Sequence, residues 1–259
     1  MSSLEKNELL KMKGYQLREK NYDKAVVAVG STEYHGDHLP YGTDTIVSEH
    51  LARQLVSKVN GMLMLPTIPI GMSAHYSSFP ISITLQTETL MRILNEVFDS
   101  INRHGLKRLL IINGHDGNIA AIQAVTNEYR ASHPEFKIAV LDSWWETAGQ
   151  LLPKETFEVW NGLGQGGEGE TSMMLGINKK LVDMNKARGV VPDLPDHVQY
   201  KWTFDELTPY GATGDPSKAS EEKGKLMYEA LINLLVKFVK DMDEKDWRLS
   251  EVRRSDSVI

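Results

Sequence analysis

Continuous apolar runs and one-sided amphipathic stretches alternate along the first 141 residues. Residues 24–30 form an unbroken β-rich apolar run ending in Gly30. Such a run suits a strand buried on both faces of a parallel sheet. Residues 44–59 follow as a helix, with Ile46, Val47, Leu51, Leu55 and Val59 on one stripe and Thr43 or Asp44 as cap. Residues 62–65 make a second short strand, stopped by Pro66. A Gly/Ser/Pro-rich loop at 69–80 leads to a helix at 87–104, which Gly105 ends. A third strand at 108–113 is broken by Gly114; a helix at 118–132 and a strand at 137–141 complete the run. The alternation predicts βαβ units and an α/β fold with a mostly parallel sheet.

Beyond Leu141 the pattern loosens. Residues 163–170 are a glycine-rich turn expected to enter a helix through Leu175, and residues 192–216 read as irregular. Residues 220–242 predict a long terminal helix with Leu226, Ala230, Leu231, Leu234, Leu235 and Phe238 on its apolar stripe. The charged tail from Asp243 is expected to fray or to dock on a neighbouring subunit. With no repeat, low-complexity block or linker, residues 1–259 are expected to form one domain.

Composition narrows the chemistry. Hydrophobic content of 41% and charged content of 25% are ordinary for a globular protein, and the net charge of −6 argues against a nucleic-acid surface. There is no cysteine, so any metal must be held by His and carboxylate. No apolar stretch reaches membrane-span length, and charges interrupt the first thirty residues where a secretory signal would need an apolar core. The expectation is a cytoplasmic protein without membrane or nucleic-acid partners.

The residues between Gly30 and Asp44 hold two imidazoles and three carboxylates, directly after the first strand. Glu33 and His35 are two apart, which in extended backbone points both to one side. A carboxylate beside a neutral imidazole is ligand chemistry for Zn, Mn or Fe, less so for Ca or Mg. Asp44 is placed to supply a bridging carboxylate. Two further polar clusters lie in the 113–118 segment, with His115 and Asp116, and around Glu168 and Glu170. Ligands in open α/β sheets bind beyond the carboxyl ends of strands, where such clusters can meet. Each cluster alone also fits a plainer reading: a surface loop, a turn histidine bonded to backbone, a solvated helix start. His38 fits a group that orients a ligand or a water. His75 lies in the 69–80 loop, a lid or merely a long connection. His50, His104, His133 and His197 are expected on solvent or helix surfaces.

These motifs resemble the creatininase (creatinine amidohydrolase) family. The family's Gly-Ser-x-Glu-x-His-Gly-x-His-Leu-Pro-x-x-Thr-Asp block is matched by residues 30–44. Its Gly-x-Ser loop ending near Phe-Pro is matched by 71–80, its Asn-Gly-His-x-x-Asn by 113–118, and its Gly-x-x-Glu-Thr-Ser by 167–172. The resemblance implies a layered α/β/α fold, a homohexamer and two divalent ions, with Zn expected first and Mn or Fe next. It implies that Glu33, Asp44 and His115 hold one ion, and His35, Asp44 and a second carboxylate the other. Creatininase takes that carboxylate from a glutamate two residues after the Asn-Gly-His histidine, where this chain has Gly117. Glu168 is the expected replacement, Glu170 and Asp116 its rivals. A histidine before the family's Gly-Gly pair is Gln165 here, which can hydrogen-bond a substrate but not shuttle a proton. Trp145 and Trp160 match pocket tryptophans, with core or interface packing as the plainer alternative, and Ser73 and Tyr76 lie in the matched loop.

The implied activity is hydrolysis of a non-peptide carbon–nitrogen bond in a small cyclic amide, lactam, formamide or guanidino compound by a metal-activated water. The leaving nitrogen needs a proton, for which Glu168, Glu170, His75 and His38 are candidates. The alternative is a metal-binding or sensor protein without catalysis; a purely structural oligomer would gain nothing from gathered carboxylates.

Overall fold

Successive residues of a strand point to opposite faces, so a run that is apolar at every position must be covered on both sides. The computed structural model, which describes residues 7–194 and 201–248, has this arrangement. Strand β1 (Lys24–Val29) sends Val26 and Ala28 into one core and Ala25, Val27 and Val29 into the other. In chain order the elements around it are helix α1 (Gly14–Glu19) before it, then α2 (Thr43–Lys58), β2 (Met62–Met64), α3 (Thr87–Arg103), β3 (Arg108–Asn113), α4 (Ile119–Ser132), β4 (Lys137–Leu141), α5 (Trp144–Leu151), α6 (Glu168–Asn178), α7 (Phe204–Leu207) and α8 (Glu221–Glu244). The four strands are parallel in the order β2-β1-β3-β4, with Val26 opposite both Met64 and Leu110.

One layer carries α3 and α4, whose Leu90, Leu94, Phe98, Ile122 and Val125 cover one face of the sheet. The other carries α2, α5, α6 and α8. The expected α/β/α layering is present. The chain leaves β1 towards β2 and later returns to β3 on the other side, so the strand order reverses between β1 and β3. That reversal opens a crevice at their carboxyl ends. Gly114, just past β3, lets α2 close down on this edge: a Cβ there would lie 2.3 Å from the Asp44 carbonyl oxygen.

Three elements escaped the sequence pattern: α1, α5 and α7. The apolar face of α8 is also rotated from the expected stripe. Met227, Leu231, Ile232, Leu235 and Val239 are buried, whereas Leu226 is 44% exposed. Its neighbours α6, α5 and α2 all lie on one side, and they select the face. At the tail, Trp247 is 3% exposed, packs edge-on against Phe238 and donates its indole N–H to Asp243. The remainder of the tail (249–259) and His197 lie outside the described residues. No described helix is long and apolar enough to cross a membrane.

Candidate metal centre

The crevice gathers side chains from four places. Glu33 and His35 follow β1, Asp44 opens α2, His115 follows β3 and Glu170 lies in the first turn of α6; all five are buried. Asp44 stands between the two imidazoles. Its Oδ1 is 2.8 Å from His35 Nε2 and its Oδ2 is 3.0 Å from His115 Nδ1. Ser31 Oγ donates to Oδ2 at 2.7 Å.

Both rings are oriented from behind by a carbonyl. The His35 Nδ1–H donates to the Glu33 carbonyl at 3.1 Å, and the His115 Nε2–H to the Met72 carbonyl at 2.9 Å. A backbone acceptor fixes the tautomer and leaves the opposite nitrogen for a ligand. Glu33 accepts the Gln165 amide on Oε1 at 2.8 Å, while its Oε2 is buried without a hydrogen-bond partner among the described residues, 3.3 Å from His115 Nε2. Glu170 Oε2 accepts the Gly166 N–H at 2.6 Å and lies 3.9 Å from His35 Nε2. Glu33, His35 and Asp44 each offer a donor atom within 4.8 Å of the others', and so do Glu33, His75 and His115.

Electrostatics show what this cluster requires. Burial raises Glu33, against the opposing pull of His115. Burial, assisted by Asp44 and Glu33, lifts Glu170 to about 7 despite His35. Burial alone would depress His35, but Asp44, Glu170 and Glu33 outweigh it and raise it to about 10. His115 is likewise depressed by burial and lifted by Glu33 and Asp44 to about 9. Burial pushes Asp44 up, but His35 and His115 hold it well below the usual carboxylate range. Neutral imidazoles would aim lone pairs at Asp44, so the cluster needs positive charge. Protons meet that need in the metal-free protein. The mixed nitrogen and oxygen donors, with an unpartnered Glu33 oxygen among them, equally fit divalent transition-metal ions.

A pocket of about 230 Å³ opens onto the centre and is lined by Asp44, His115, Glu170, His75, Asp116, Trp145 and Gln165, among others. His75 stacks parallel to His115, 5.6 Å away, and burial, then His115, lowers it to about 4. Other expectations are corrected. Glu168 turns away: its carboxylate accepts the N–H groups of Glu158 and Val159 at 3.0 and 2.9 Å and Lys223 Nζ at 2.6 Å. It can neither complete the second ion's site nor reach the pocket as a proton donor, because its oxygens are committed to the 158–159 turn and α8. His38 is no proton donor either, since it does not line the pocket and its Nε2 is bonded to Gly166 and Thr171. Trp160 is 41% exposed and outside the pocket wall. Ser73 and Tyr76 are buried behind the wall, with Ser73 Oγ 3.3 Å from His115 Nε2 and Tyr76 stacked on Phe204. The pocket residues missed beforehand include Glu146, Phe204 and Thr213. Glu146 lies next to Trp145 and was recoverable from it; Phe204 and Thr213 come from the irregular stretch, which gave no signal.

Gly117, where the resemblance would call for a glutamate, has no room for a side chain. A Cβ there would lie 2.1 Å from the Met72 carbonyl oxygen and 2.5 Å from His115 Nε2.

Similarity to known proteins extends over most of the chain. Residues 8–239 match the family model for creatininase, creatinine amidohydrolase. The creatinine amidohydrolase of Pseudomonas putida is 28% identical over 242 residues, covering 84% of this chain and 92% of that protein. The mycofactocin precursor peptide peptidase of Mycobacterium ulcerans (strain Agy99) is 27% identical over 220 residues, covering 80% and 81%. A solved creatininase with Mn superposes with a TM-score of 0.77 at 24% identity, covering 91% of this chain and 98% of that one, a likeness of fold.

Proposed function

The chain belongs to the creatininase family, and from that membership and the geometry of the centre we infer that it is a metal-dependent hydrolase of a non-peptide carbon–nitrogen bond in a small amide. The observation that carries this reading is Asp44, with one oxygen turned to each of two buried imidazoles at the floor of a pocket. Glu33, Asp44 and His115 would hold one ion, and His35, Asp44 and Glu170 the other. Glu170 takes the place expected of Glu168. Zn and Mn suit this donor set best, and Fe is compatible with it.

Bound there, two divalent ions supply a water acidified toward neutral pH and Lewis-acid polarisation of the scissile carbonyl. The chain's own residues do the rest. Gln165 holds Glu33 by its amide and faces the pocket, where it offers a hydrogen bond but no proton. Trp145 and Phe204 give the pocket apolar walls that exclude water from the substrate. His75, on the wall outside the proposed ligand set, is held neutral by burial and His115, so it is placed to accept a proton and pass it on to the leaving nitrogen, since an amide anion leaves poorly. The open pocket favours an enzyme over a closed metal-binding or sensor site, in which protein donors fill every coordination position.

A homo-oligomer, hexameric by resemblance, and a cytoplasmic setting belong to the same proposal. The direct test is a hydrolysis screen over cyclic amides, formamides and guanidino compounds, using protein stripped of metal and reconstituted with Zn or Mn. Turnover that needs added metal supports the reading; equal turnover in stripped protein refutes it.

A further inference from the structure

Glu170 reaches the centre from a turn that should be loose. Gly166 and Gly167 precede α6, and glycine has more conformational freedom to lose than any other residue. Yet the only donor to the Glu170 carboxylate among the described hydrogen bonds is the Gly166 N–H, at 2.6 Å. On the amide side the Thr213 N–H holds the Gln165 carbonyl at 2.8 Å; beyond that, the place of the Glu170 carboxylate depends on what fixes Gly166. Its carbonyl is held from two sides: His38 Nε2–H donates at 3.1 Å and Thr171 Oγ1–H at 3.0 Å. His38 is buried, its Nδ1 has no hydrogen-bond partner among the described residues, and its Nε2 also lies 2.9 Å from Thr171 Oγ1. With Nδ1 unpartnered and Nε2 facing a carbonyl, the proton sits on Nε2. The ring serves as a fixed donor to the turn.

We propose that His38 is a positioning residue for one of the two ions: by anchoring Gly166 it holds Glu170 against the His35 side of the centre and sets the affinity of that ion alone. This rests on the two-ion reading above. Among the described residues the other ion's donors, Glu33 and His115, have no bond to His38; they are oriented by the Met72 carbonyl and by Gln165, whose N–H and carbonyl are held separately by Thr213 at 3.0 and 2.8 Å. A histidine that merely fills space would, on removal, weaken both ions together or neither.

The test is calorimetric titration of metal-free protein with Zn²⁺. The wild type should take up two ions. His38→Phe, which keeps a ring but removes the donor, should weaken one ion about 10–100-fold, the usual effect of losing an outer hydrogen bond, and leave the other within about threefold. His38→Gln, which restores an N–H, should recover most of the loss. Should His38→Phe fail to fold, Thr171→Val removes the other donor to the same carbonyl and is expected to weaken the same ion selectively. Parallel weakening of both ions, or unchanged binding in the variant that folds, overturns the assignment. A single ion in the wild type overturns the two-ion reading itself, and this assignment with it.

Discussion

His35 Nε2 lies 2.8 Å from Asp44 Oδ1, with both side chains buried. The contact is a place for a cation, filled by a proton when metal is absent. His35 and His115 are raised to about 10 and about 9, and a ligand imidazole must shed its proton. Metal affinity should therefore climb steadily from pH 6 to 9, with protons released on binding. Titrations at several pH values check this; a pH-independent affinity contradicts it.

The same groups set the stability of the metal-free protein. An imidazole raised in the folded state stabilises fully below its unfolded value near 6.5, and that contribution is lost as pH climbs through about 9 and about 10. Glu170, raised to about 7, loses its contribution between its ordinary value of 4.5 and 7. Asp44, held low, gives a contribution that is lost only in acid. The Tm of stripped protein should thus fall between pH 6.5 and 10, and bound metal should flatten the fall. A Tm that rises over that window counts against the site's electrostatics.

Glu168 and Glu170 should part ways. Glu168→Ala removes the acceptor of two backbone N–H groups and Lys223, so it should cost about 3 kcal/mol of stability while both ions stay. Glu170→Gln should keep the fold and lose one ion. Thermal melts with metal analysis separate the two; loss of metal in the Glu168 variant would restore Glu168 as a ligand.

Gly117→Glu should not add a metal ligand to the centre. The space is taken by the Met72 carbonyl and His115, so the variant should displace His115 and bind less metal. Tighter binding would show that the 71–76 loop yields.

His75→Gln should keep both ions and slow turnover about 10²–10⁴-fold, the range for losing a general acid–base group. An unchanged kcat would move the proton-carrying role elsewhere, with Asp116 next in the pocket wall.

The sheet and the strand-end placement of Glu33, His35, Asp44 and His115 were legible because β1 and β3 carry unbroken apolar runs, 25–29 and 109–112, and lead into polar motifs. The choice between Glu168 and Glu170 was not. Two residues apart in a strand share a face, but in a helix they are turned about 200° from each other. The motif gave both glutamates without saying which face of α6 meets the crevice. Helix α5 was hidden by its eight-residue length. Phe204 reaches the pocket from a segment without periodicity, so its place is set by tertiary packing alone.

The most direct test is anomalous X-ray scattering from crystals of protein reconstituted with Zn or Mn. Two peaks per chain about 3.5–4 Å apart are expected, with Asp44 between them, His115 and Glu33 on one side and His35 and Glu170 on the other. No peak beside Asp44, or a peak ligated by Glu168, would contradict the centre described above.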